Sequence, residues 1–95
     1  KKQFEELLYS LSGSDNLWQR RIAIVCTLKF LAIGEYKDTI KLAKKLLNDP
    51  EDLINKAVGW LLREVGKIKR EELVKFLDKY STKMPRITLR YSIEH

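Results

Sequence analysis

Lys56, Trp60, Arg63 and Lys67 fall at i, i+4, i+7 and i+11, a spacing that places their side chains on one face of a helix. Cations that can neutralise phosphate thus flank an indole whose flat face suits a base or a sugar. From Ile54 to Arg70 five basic residues stand against one acid, Glu64, a local charge of +4. A solvated basic face with a half-buried tryptophan is the competing reading of the stripe. Glu64 follows Trp60 by one turn, and pairing with Lys67 is its expected role. Gly59 inside this segment costs about 1 kcal/mol relative to alanine. It is expected where a neighbouring helix must come close.

Two further basic groups could meet the same ligand. Trp18-Gln19-Arg20-Arg21 opens a second helical segment. Adjacent arginines point in different directions, so only one of Arg20 and Arg21 can share a binding face, and the apolar register leaves open which. Trp18 reads as a packing residue at the helix start. Arg86 and Arg90 are one turn apart near the C-terminus, with Lys83 just before them. Each is either a phosphate contact or an ordinary surface charge.

The same composition excludes other chemistry. One cysteine (Cys26) and one histidine (His95) make no zinc constellation and no nucleophile–base pair, so neither a metal nor another cofactor is expected. Nineteen Lys and Arg against thirteen Asp and Glu give a net charge of +6, which favours an anionic partner, nucleic acid being the commonest for a basic helical domain. The longest apolar run, Ile22 to Ile33, is broken by Thr27 and Lys29 and falls short of the ~18 residues a membrane helix needs. The opening Lys-Lys-Gln-Phe-Glu-Glu carries charges where a signal peptide has its apolar core. A lone Cys26 in an apolar run fits a reducing compartment; a cytoplasmic protein of bacterial or archaeal type is the expectation.

The elements that must position these residues are helical. With 44% apolar and 34% charged residues, and Gly and Pro numbering only six, the chain reads as one all-α domain over residues 1–95. Helices are expected from about Lys2 to Leu11, Leu17 to Ala32 (stopped by Gly34), Tyr36 to Leu47, Pro50 to Val65 (closed by Gly66) and Lys69 to Tyr80. Ser14-Asp15-Asn16 caps the second, and Asp49-Pro50-Glu51-Asp52 starts the fourth. The last segment alternates Ile87, Leu89, Tyr91 and Ile93 with polar residues, a strand signal. A lone strand has no partner in a helical chain, so a sixth helix is the expectation.

Basic-then-apolar starts recur at Arg21-Ile22-Ala23-Ile24, Lys56-Ala57-Val58-Gly59 and Arg86-Ile87-Thr88-Leu89, at intervals of 35 and 30 residues. This is near the roughly 40-residue period of HEAT-type helix pairs. About six helices in three antiparallel pairs would then form a HEAT-like α-solenoid, with every second helix lining one concave surface.

Read together, Trp18-Gln19-Arg20-Arg21-Ile22-Ala23-Ile24, Lys56-Ala57-Val58-Gly59-Trp60-Leu61-Leu62-Arg63-Glu64 and Met84-Pro85-Arg86-Ile87-Thr88-Leu89-Arg90-Tyr91 resemble successive motifs of the AlkD-type DNA alkylation-repair family. The resemblance implies a metal-free DNA glycosylase of HEAT-like repeats. Such an enzyme grips duplex DNA in a basic groove and hydrolyses the N-glycosidic bond of N3- or N7-alkylated purines. By motif, the family's lesion-site arginine and downstream tryptophan fall on Arg21 and Trp60. Its catalytic aspartate belongs before Lys1, so the chain is expected to be the C-terminal portion of a longer protein and inactive alone. Arg20, Arg21, Lys56, Trp60, Arg63, Lys67, Arg86 and Arg90 are the expected DNA contacts. A non-catalytic HEAT-like scaffold for DNA or for an acidic protein stays open, as does self-association over the uncapped face of a truncated solenoid.

Overall fold

The boundaries that capping chemistry predicts are mostly those observed. The computed structural model describes residues 2–93, so His95 lies outside the described residues. These form seven helical segments: α1 Lys2–Ser12, α2 Leu17–Val25, α3 Leu28–Leu31, α4 Lys37–Lys45, α5 Asp52–Ile68, α6 Arg70–Tyr80 and α7 Arg86–Ile93. No strand occurs among the described residues, and the alternating segment 86–93 is helical, as pairing logic required.

Local chemistry explains each end. Asn16 caps α2, its Oδ1 accepting from the backbone N–H of Trp18 (2.8 Å) and of Gln19 (3.3 Å). The expected single helix from Leu17 to Ala32 breaks at Cys26-Thr27. There the buried Thr27 hydroxyl donates to the Ile24 carbonyl at 2.6 Å, competing with the helical ladder inside a β-branched run. Gly34 stops α3 at φ 84°. Its own N–H returns to Leu31 O and that of Glu35 to Phe30 O, the paired bonds of a Schellman stop.

Helix α5 differs from expectation at both ends. It starts at Asp52, with Pro50 ahead of it; Asp49 still accepts from the Glu51 N–H, the bond an N-cap makes, while its carboxylate also holds Arg20. It also runs straight through Gly66 to Ile68. Gly66 is a packing position: a Cβ there would sit 2.6 Å from Leu73 Cδ2 of α6.

The core gathers on α5, where Ile54, Ala57, Val58, Leu61, Leu62 and Val65 are buried. Each such side chain contributes about 1.5–3 kcal/mol by leaving water. Leu8 of α1, Ile24 of α2, Leu42 and Ala43 of α4, and Phe76 of α6 join the same cluster. α2, α6 and α7 all pack on α5, and α1 packs on α2. The order α2, α5, α7 is a side-by-side row of the kind a helical solenoid places along one face. No helix is long and apolar enough to cross a membrane.

Candidate functional site

The row of α2, α5 and α7 brings four of the expected contacts to one open cleft of about 370 Å³. α2 supplies Arg21, α5 supplies Lys56, Trp60 and Arg63, and α7 supplies Tyr91; Leu53 and Ala57 complete the lining. The 56–60–63 spacing does this work, since it puts those side chains on the α5 face beside the buried stripe. Arg21 reaches them because α2 packs on α5.

The two adjacent arginines separate as helix geometry requires. Arg20 turns away from the cleft. Its Nε donates to Asp49 Oδ2 at 2.8 Å, one terminal nitrogen to Asp49 Oδ1 at 3.2 Å, and the other to the carbonyls of Ser14 and Asp15. The Asp49 carboxylate raises the Arg20 pKa above its ordinary value. With its donors so occupied, Arg20 positions the α2 start. Arg21 is the cleft residue, and its Nε is buried without a hydrogen-bond partner. A buried, unpaired donor of this kind is costly.

Electrostatics point the same way. Arg21, Lys56 and Arg63 line the cleft, and among the described residues no Asp or Glu does. Three like charges around a small cleft raise its positive potential and attract an anion. Trp60 and Tyr91 add aromatic faces.

The remaining expected contacts lie outside the cleft. Lys67 lines a larger hollow of about 600 Å³ between α5, α6 and α7, which Arg63 shares and Leu73, Val74 and Leu77 make apolar. As expected, Lys67 pairs with Glu64, at 2.9 Å. Arg86 and Arg90 line a third hollow with Met84 and Leu89. Trp18, read from the sequence as a packing residue, is instead 60% exposed and lines none of these hollows. Gly59 is where α7 touches α5: a Cβ would lie 2.6 Å from both the Thr88 carbonyl oxygen and Tyr91 Cβ.

Tyr91 is the cleft residue that sequence reasoning passed over, although a signal for it exists. The interval from Arg21 to Lys56 is 35 residues, and a second step of 35 lands on Tyr91. Arg86, five residues earlier, had filled that place only because it is basic.

Among the described residues no three His, Cys, Asp or Glu side chains are grouped to hold a metal ion. The cleft's lining offers cations, two aromatic faces and one phenol. That set is suited to gripping an anionic, ring-bearing polymer.

Comparison with known proteins agrees with this chemistry. No curated protein and no solved structure matches the chain. One family profile does, over residues 1–95, and by it the chain belongs to the DNA alkylation repair enzyme family.

Proposed function

We propose that this chain holds duplex DNA in the Arg21–Lys56–Trp60–Arg63 cleft and, within a full-length protein, supports hydrolytic release of N3- or N7-alkylated purines. The observation that carries this reading is a three-cation cleft with an aromatic wall, in a member of a DNA alkylation repair family. Arg21, Lys56 and Arg63 neutralise phosphates, and the entropy of released counterions drives binding. Arg21 is the phosphate grip nearest the lesion. The Trp60 indole offers its face to the cationic base or its sugar. Lys67, Arg86 and Arg90, in the neighbouring hollows, extend the positive surface to flanking phosphates.

An alkylated purine leaves readily because it carries positive charge, so the reaction's main demand is stabilisation of the sugar cation and placement of water. A carboxylate meets that demand, and by the family resemblance it comes from the segment preceding Lys1. A second reading, in which the protein binds DNA without excising a base, is distinguished from the first by the excision assay.

Fluorescence anisotropy of a labelled duplex tests the binding. The three cleft cations alone, at a slope of about 0.9 each, imply an affinity loss of at least about 40-fold between ~50 and ~200 mM salt. Absence of binding at the lower salt would refute the cleft assignment. Release of free N7-methylguanine from an alkylated duplex by the full-length protein separates excision from binding alone.

A further inference from the structure

We propose that Tyr91 is a further DNA-contacting residue of this cleft, its phenolic hydroxyl donating a hydrogen bond to a phosphate oxygen of the duplex that Arg21 and Lys56 hold. The inference rests on the cleft being the DNA site and adds to it a neutral, directional donor on the third helix of the row.

The seat of Tyr91 is the first argument. Its Cβ lies against the bare Cα of Gly59, where a methyl group would come within 2.6 Å of it and of the Thr88 carbonyl oxygen. Thr88 and Ser92, on either side along α7, are fully buried. The backbone that carries Tyr91 is therefore pinned to α5, beside Trp60, and its side chain leaves from the point of closest helix contact. A side chain launched from so fixed a base loses little freedom when it binds.

The state of the hydroxyl is the second. Tyr91 is half-buried and lines the cleft, yet its hydroxyl takes no hydrogen-bond partner among the described residues and is not sealed from solvent. Around it, among the described residues, stand three cations and no acid. In the free chain the hydroxyl faces water, and in a duplex the phosphate oxygens are the acceptors that cations draw in to replace it. The regular 35-residue steps from Arg21 to Lys56 to Tyr91 give each helix of the row one donor facing the same cleft.

The test measures affinity of the 95-residue chain for a short labelled duplex across a salt series, with Tm recorded for every variant. Tyr91→Phe is expected to weaken binding about tenfold, the effect of losing one hydrogen bond to a charged group. It should leave Tm and the slope of log Kd against log salt unchanged, because no cation is lost. Arg21→Ala should reduce both affinity and slope. If Tyr91→Phe binds like wild type while Arg21→Ala is weakened, the Tyr91 assignment falls and the cleft stands. If Tyr91→Phe loses affinity only together with Tm, Tyr91 is a packing residue and the proposal is overturned. If the wild-type chain does not bind duplex DNA, the cleft reading fails and takes this inference with it.

Discussion

Arg20 and Asp49, 29 residues apart, form a two-pronged ion pair (2.8 and 3.2 Å) that ties the start of α2 to the turn before α5. The side chains are only 14% and 5% exposed, and Arg20 also binds the carbonyls of Ser14 and Asp15. The pair thus fixes the approach of the two helices that share the cleft, while the next residue, Arg21, faces the ligand. Removing one member leaves the other charge nearly buried and alone. Arg20→Ala is expected to lower Tm by about 5–10 °C, with the salt slope of DNA binding retained below the transition. A slope reduced at unchanged Tm would make Arg20 a phosphate contact instead.

Gly59 and Gly66 lie two turns apart on α5 and should respond differently to alanine. Each substitution recovers about 1 kcal/mol of helix propensity. At Gly59 the new methyl meets a backbone oxygen at 2.6 Å, so α7 must shift, and overpacking of this kind costs about 1–3 kcal/mol. At Gly66 the nearest atom is the far end of the Leu73 side chain, also at 2.6 Å, which a rotamer change can clear. Thermal unfolding should show Gly59→Ala destabilised and Gly66→Ala close to wild type. A larger loss at Gly66 would mean that Leu73 is locked.

Much of this arrangement was legible in the sequence because it follows from periodicity and caps. The Gly34 stop, the Asn16 cap and three of the four stripe positions, 56, 60 and 63, depend on residues within a few positions of one another, and the structure reproduces them; Lys67, expected on the same stripe, lines the neighbouring hollow instead. What was not legible depends on contacts between distant elements. Asp49 is a good capping residue by local rules, but nothing local says that its carboxylate also holds Arg20, 29 residues away. Gly66 has the composition of a helix stop, but the approach of Leu73 makes it a packing position. Likewise, Trp18 has the size of a core residue, and nothing local says that its face of α2 stays open. The break at Thr27 could have been anticipated, since a threonine hydroxyl competes for backbone carbonyls in any helix.

Tyr9 supplies a pH handle remote from the cleft. Its hydroxyl donates to Asp38 Oδ1 at 2.9 Å, and burial, followed by that bond and the Asp38 charge, raises its pKa well above the ordinary tyrosine value. The folded state therefore keeps a proton that the unfolded chain releases near pH ~10. The resulting stabilisation is complete below that pH and is lost as pH rises toward the folded-state value. Between about pH 9 and about pH 11, Tm of the wild type should fall more steeply than that of Tyr9→Phe. Parallel curves for the two proteins would show that Tyr9 does not carry the alkaline dependence.

The two tryptophans give a direct optical test of where DNA sits. Trp60 is half-buried in the cleft, whereas Trp18 is largely exposed on α2. In Trp18→Phe, emission comes from Trp60 alone, and duplex DNA should quench it if a base or sugar stacks on the indole. In Trp60→Phe, emission comes from Trp18 and should change little on adding DNA. Stacking on an aromatic side chain is worth about 1–3 kcal/mol per base, so Trp60→Ala should weaken binding at least about fivefold without changing the salt slope, since no charge is removed. The reverse pattern, with Trp18 quenched and Trp60 silent, would move the interface from the α2–α5–α7 cleft to the outer face of α2, where Trp18 and Ile22 stand exposed.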